Sequence, residues 1–150
     1  MMSLFTVRLA HLTDLSAIAT LFDQYRQFYG RASDLQAAST FLQERFQHQD
    51  SVLLLAEHAG QAVGFVQLYP SFSSVSLART FILNDLYVQP HVRQQGCGQT
   101  LLCAAQTWAK SQQAIRLTLS TAIDNTAAQA LYQRLGWQKD QQFWVYHYVL

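Results

Sequence analysis

Apolar residues recur along this chain with two alternating rhythms. Phe5, Val7 and Leu9 are separated by polar neighbours, the two-residue period of a strand. Leu15, Ile18, Phe22, Tyr25 and Tyr29 then recur every three or four positions, which predicts a helix capped by Thr13 and stopped at Gly30. Ser33-Asp34 opens a second helix through Ala38, Leu42 and Phe46. The run 51–58 (SVLLLAEH) and the run 61–69 (QAVGFVQLY) flank the tight turn Ala59-Gly60, so they predict an antiparallel pair, with Pro70 closing the second strand. A polar loop is expected over 71–76 and a long apolar strand over 80–88 (TFILNDLYV), ended by Pro90. A glycine-bearing turn, RQQGCG at 93–98, precedes a helix over 100–110. Ile115, Leu117 and Leu119 give a further strand, Asp124-Asn125 caps a helix ending at Gly136, and 143–150 (FWVYHYVL) gives a last strand. The expected class is α/β (α+β): a mixed, mostly antiparallel sheet with one parallel strand pair, flanked by about four helices. The strand-helix-strand step in the middle requires a right-handed crossover. No repeat or linker breaks the pattern, so 1–150 reads as a single domain.

Composition narrows the functional classes. Half of the 150 residues are hydrophobic, enough for a core, and only 13% are charged. A net charge of +1 gives neither the basic footprint of a nucleic-acid binder nor a polybasic membrane patch. Cys97 and Cys103 form no CxxC, and the five histidines show no HxxxH spacing, so no metal site is expected. No apolar run approaches the roughly 20 residues of a membrane helix. The expected setting is a reduced cytoplasm.

Several segments carry candidate chemistry. Ligands of such sheets bind at the carboxyl ends of parallel strands, and that is where RQQGCG lies. Its glycines allow close backbone approach, the following helix start offers free N–H groups, and Arg93 adds a charged donor. A plain strand-to-helix turn is the competing reading. Neither a GK[ST] sequence nor the third glycine of GxGxxG follows, which excludes a Walker loop and disfavours a dinucleotide site. Asn84 and Asp85 interrupt the apolar strand 80–88. A carboxylate there is either satisfied by local backbone or faces a cleft, where it binds a cation or takes a proton. Asn125 and Tyr132 stand seven apart on one helical face. They are an ordinary cap and core aromatic, or a cleft-facing pair whose phenol donates a proton. Tyr69, Phe72, Ser73 and Ser74 are turn residues or a substrate wall.

Taken together, Leu86-Tyr87-Val88, Gln89-Pro90, Arg93-Gln94-Gln95-Gly96-Cys97-Gly98 and the later Asn125, Ala127-Ala128, Leu131-Tyr132, Gly136-Trp137 resemble the GNAT superfamily, the GCN-five-related N-acetyltransferases. The clear match spans Phe81 to Trp137. Within the superfamily the chain is most similar to the Hpa-type histone/polyamine acetyltransferases and also to the diamine acetyltransferases. The resemblance implies a GNAT fold whose parallel pair opens at the acetyl-CoA cleft, and an acetyl-CoA co-substrate without metal. It implies that backbone groups of Gln94, Gln95, Gly96, Cys97, Gly98 and Gln99 cradle the pyrophosphate beside Arg93. Leu86, Tyr87 and Val88 would pair with the pantetheine arm as an added strand, near a bulge that frees a backbone N–H for the thioester oxygen. Asn125 and Ala128 would hold the pantetheine, and Tyr132 would protonate the departing thiolate. The acetyl group passes directly to an amine, so Cys97 is not a nucleophile.

An alkyl amine titrates near ~10, so a base or a water route must deprotonate it. The diamine enzymes carry a Glu where this chain has Asn84, which leaves Asp85 as base or cation anchor and Glu57 as a second candidate. With only two glutamates in the chain, an acid-lined polyamine channel has little to rest on. Tyr25, Phe28, Tyr29, Tyr69 and Phe72 could cage an amine by cation–π contact, with Asn84 beside them. The expected acceptor is a primary amine of a polyamine, an amino-acid-like molecule or a protein lysine or N-terminus. An acyl-CoA-binding sensor without turnover is the alternative. A homodimer through the last strand completes the expectations.

Overall fold

The computed structural model describes residues 4–150. They group into two compact units, one ending at Leu119 and the other running Ser120–Leu150.

The first unit is a sheet between helices. Strands β1 (Thr6–Leu9), β2 (Val52–His58), β3 (Gln61–Ser73), β4 (Ala78–Val88) and β5 (Leu117–Thr118) lie in the order β1-β2-β3-β4-β5. All neighbours are antiparallel except β4 and β5, which are parallel. Helices α1 (Leu15–Phe28) and α2 (Leu35–His48) cover one face. Their apolar stripes (Ile18, Leu21, Phe22, Ala38, Leu42) pack with Leu53, Leu55 and Phe65 of the sheet. Helix α3 (Cys97–Ser111) covers the other face with buried Leu101, Leu102, Ala105 and Ala109, and its Trp108 meets Phe81 edge-on at 5.0 Å. That face accepts the helix closely because Gly64 lacks a side chain: a Cβ there would stand 2.7 Å from the Tyr87 carbonyl and 3.3 Å from Leu101.

Four local expectations are corrected. Thr13 does not cap α1; a single 3₁₀ turn over Leu12–Asp14 leads into it, held by the His11 N–H donating to Asp14 Oδ2 at 2.8 Å. Pro70 does not end its strand, and the first half of the expected loop 71–76 is ladder, since pairing with β4 continues to Ser73 opposite Ala78. Beyond Leu68 the β2 side of β3 has no partner among the described residues, so the missing proline N–H costs no ladder bond there. Helix α3 begins at Cys97 rather than Thr100.

The second unit holds helix α4 (Thr126–Arg134), capped by Asn125 Oδ1 accepting from the Ala128 N–H at 3.3 Å. The expected last strand over 143–150 is not formed: the segment pairs with no strand among the described residues. Its side chains are strongly exposed, and a strand needs a partner that local sequence cannot supply.

Candidate active site

The end of β4 and the start of α3 build one half of the site. After Val88 a short turn over Pro90–Val92 leads into residues 93–96. Gln94 (φ 62°) and Gly96 (φ 91°) both adopt left-handed backbone, which curls the N–H groups of the turn into a concavity. Thr100 closes the first helical turn, its N–H and its Oγ both donating to the Gly96 carbonyl at 3.0 and 2.8 Å. The N–H groups of Cys97, Gly98 and Gln99 have no carbonyl four residues back inside the helix, and the positive end of the dipole lies there. The geometry and the dipole are those of a turn that can receive an anion.

Arg93 serves it indirectly. Its Nε donates to the Val88 carbonyl at 2.8 Å, and its guanidinium lies over Phe28 and Tyr87 at 5.5 and 5.6 Å. It ties the turn back to the strand end. Gln95 turns its amide onto the His91 carbonyl at 3.2 Å. Cys97 is buried, and burial pushes its thiol up to about 11, which suits packing and not nucleophilic attack.

Strand β4 itself is half open. Its pairing with β5 is confined to Phe81 and Ile82, so among the described residues Leu86, Tyr87 and Val88 pair with β3 on one edge only. An extended ligand can add to that free edge through main-chain hydrogen bonds. The register with β3 shifts here: Gln67 faces Asp85 while Leu68 faces Leu83, so Asn84 is the extra residue of a bulge.

Beside the bulge lies Asp85, only 4% exposed, on the sheet face covered by α1. Gln67 Nε2 donates to its Oδ2 at 2.8 Å and Asn84 Nδ2 to its Oδ1 at 3.0 Å. The Tyr25 hydroxyl reaches the Asn84 carbonyl at 3.5 Å. Burial and the nearby Asp85 charge hold the Tyr25 proton on well above the usual phenol range, and the same two causes push Tyr69 up to about 12. Both phenols therefore remain neutral donors. Gln67 is fully buried, and its Oε1 has no hydrogen-bond partner among the described residues. A carboxylate and an unfilled amide oxygen, walled by tyrosines, are what an ammonium group requires.

Tyr29 stacks edge-on against Tyr25 at 5.1 Å and is exposed at the rim of this aromatic group. Phe72 is elsewhere. It lies five residues along β3 from Gln67, about 16 Å away at a strand's rise, and an odd number of residues places it on the other face. There Arg79 covers both Phe72 and Phe81, at 5.6 and 5.8 Å. Glu57 is tied to Arg8 at 2.8 Å and has no place in this group. Gln67 and Gly64 were not anticipated from sequence; a lone glutamine and a lone glycine inside the apolar run VGFVQLY were the available hints.

In the second unit, Asn125 uses its carbonyl oxygen for the cap, which leaves its amide N–H groups outside that role. Tyr132 follows two helical turns later, its ring 6.0 Å from that of Trp137. Ala128, in the first turn, is small enough for a backbone to approach.

Comparison with known proteins bears on this arrangement. The profile of the acetyltransferase (GNAT) family matches residues 17–137. An uncharacterized N-acetyltransferase of Bacillus subtilis (strain 168), YhfO, is 49% identical over 144 residues, covering 96% of this chain and 95% of that protein. A crystal structure of a probable acetyltransferase superposes with a TM-score of 0.92 at 39% identity, over 97% of both chains. The aminoglycoside acetyltransferase AAC(6')-Iy, solved with a bisubstrate analogue of CoA, shares the fold at a TM-score of 0.79 and 23% identity, over 97% of this chain and 99% of that one.

Proposed function

The chain belongs to the acetyltransferase (GNAT) family and is an N-acetyltransferase; from that premise we propose that it acetylates a small primary amine held at Asp85. The observation that carries the acceptor site is the buried Asp85–Gln67 pair at the β4 bulge, with an amide oxygen still unfilled. The free edge of Leu86–Val88 and the N–H concavity of residues 94–99 fit the pantetheine amides and the pyrophosphate of acetyl-CoA, which supplies the activated acetyl thioester. Arg93 positions this half of the site by fixing the strand end to the turn. By the family resemblance, Asn125 and Ala128 are the residues proposed to hold the pantetheine. We take 1–150 as a single acetyltransferase domain and the protein as a cytoplasmic homodimer.

Asp85 anchors the acceptor ammonium and takes its proton, directly or through water. Tyr25 and Tyr69 offer the cation ring π-density and neutral hydroxyls, Tyr29 adds its ring at the rim, and Asn84 fixes the carboxylate's orientation. The freed amine attacks the thioester carbon; a C–N bond forms and the C–S bond breaks. A backbone N–H released at the bulge stabilises the charge gathering on the thioester oxygen, an effect typically worth ~3 kcal/mol. Tyr132 gives its proton to the leaving sulfur. One buried carboxylate suits a single amine end, polyamine-like or amino-acid-like, of the kind suggested by the Hpa-type resemblance.

The test is release of free CoA thiol from acetyl-CoA by wild type and Tyr132→Phe, against polyamines, amino acids, aminoglycosides and lysine peptides. Turnover with a small amine, cut at least tenfold in the variant, is the expected result. Turnover with peptides alone would overturn the acceptor class. Tight CoA binding without any turnover would favour the sensor alternative.

A further inference from the structure

Helix α1 and the end of β4 serve different halves of the reaction. The helix carries Tyr25 and Tyr29, beside the acceptor amine. The strand end carries the edge offered to acetyl-CoA and leads into the turn at 93–96. Acetyl transfer needs the two halves in a fixed relation, because reacting atoms must meet at about 3–3.5 Å. The sheet alone fixes it loosely. Past Ile82 the strand pairs with β3 on one edge among the described residues, and the bulge at Asn84 breaks that register.

The last turns of α1 make up the deficit. Gln24 Oε1 accepts from the Tyr87 hydroxyl and from Gln89 Nε2, each at 3.3 Å. One residue on, the Tyr25 hydroxyl reaches the Asn84 carbonyl at 3.5 Å, and its ring meets that of Tyr87 edge-on at 6.2 Å. One turn on, Phe28 lies under the Arg93 guanidinium at 5.5 Å and against Tyr29 at 5.3 Å. The helix is thereby fastened to the bulge, to the strand end and to the turn. Gln24 carries the polar part of this joint. Tyr87 is buried, so its hydroxyl needs a partner inside the protein. Gln89 is tied twice: its backbone N–H donates to the Val63 carbonyl at 2.9 Å, and its side chain goes to α1. Tyr87 and Gln89 flank Val88, whose carbonyl holds Arg93. One amide oxygen therefore grips both sides of the point where strand becomes turn.

We propose that Gln24 is a positioning residue for acetyl transfer: through Tyr87 and Gln89 it sets the donor-binding end of β4 against the amine pocket beside α1. This rests on the acetyl-transfer reading of the site. Gln24 acts through its two partners and not on the reacting atoms. Its loss should leave each binding surface intact, since Asp85 keeps its amides and the turn keeps its N–H groups. The reacting atoms then meet less often, so kcat falls while binding does not. The role also needs nothing but an acceptor oxygen. Glutamate has the same shape and keeps one; methionine fills the space without one.

The experiment compares Gln24→Met and Gln24→Glu with wild type in two ways. Amide hydrogen exchange without substrate reads the joint itself. In Gln24→Met, exchange over 86–93 should quicken roughly tenfold while the β2 amides exchange as in wild type, a local opening. Thiol-release kinetics read the consequence. In Gln24→Met, kcat should fall about 10- to 100-fold, with KM for acetyl-CoA and for the amine each within about twofold. Gln24→Glu should restore both readouts. Unchanged exchange over 86–93 in Gln24→Met would overturn the joint. Faster exchange with unchanged kcat, or a Gln24→Glu protein no better than Gln24→Met, would overturn the positioning role. Absence of turnover in wild type would instead count against the acetyl-transfer reading, and the exchange comparison would still decide whether Gln24 holds α1 to β4.

Discussion

The two faces of the one sheet are built on different rules. Against α3 the interior is apolar throughout: Leu101, Leu102 and Ala105 are fully buried, and even a single added methyl at Gly64 would strike backbone. Against α1 the interior begins the same way, with Ile18, Phe22 and Phe65, but toward the end of β4 it takes in Gln67 and Asp85. A buried carboxylate costs several kcal/mol unless it is paired. Here it is paired by amides rather than by a cation, so its negative charge is held in place and not cancelled. Packing explains the first face completely. The second keeps a cost that packing does not explain, and that is the mark of a site.

Substitutions can break this contrast. The largest effect is expected at Asp85: Asp85→Asn should lower kcat/KM for the amine by at least about 100-fold with little loss of fold, since Asn84 and Gln67 retain an acceptor. Leu101→Ala, on the other face, should do the reverse. It should cost about 2–5 kcal/mol of stability by urea unfolding and leave kcat/KM of the folded fraction unchanged. Gly64→Ala should act likewise by overpacking, at roughly 1–3 kcal/mol. Gln67→Met, close in volume, should raise KM for the amine roughly tenfold, the loss of one hydrogen bond to a charged group, with kcat less affected. If Gln67→Met changed only stability, the polar face would be structural after all.

The smallest effect is alkaline. The Tyr25 phenol ionises near 10.0 when unfolded and higher in the fold, because burial and Asp85 oppose its anion. A raised value contributes stability that is present below pH 10 and is lost as pH rises through the folded value. Unfolding stability should therefore fall above pH 10, through about 12 where Tyr69 follows. Tyr25→Phe should flatten that fall, measured by the urea midpoint from pH 9 to 12.

Much of this was legible in sequence, for reasons that differ residue by residue. The turn at 93–98 was readable because Gly96 must take a left-handed conformation and a helix must follow. Asp85 was readable as a lone acid in an apolar strand. The bulge at Asn84 was not, since it exists only in the register between β3 and β4. Gln67 was hidden for the same reason: its meaning comes from the residue across the ladder. Arg93 was readable as a charged donor beside the turn, but the bond of its Nε to the Val88 carbonyl was not; that contact is set by the chain's path and not by its spacing. The segment 143–150 was read as a last strand, but strand formation is a property of a pair, and the segment pairs with no strand among the described residues.

The central claim is that Asp85 holds the acceptor amine while a separate surface holds the acetyl donor. The most direct measurement is a paired titration of Asp85→Asn: CoA affinity by calorimetry, and amine kinetics by thiol release. The account predicts CoA binding within about twofold of wild type and kcat/KM for the amine down by at least about 100-fold. Unchanged amine kinetics in a folded Asp85→Asn protein would contradict it.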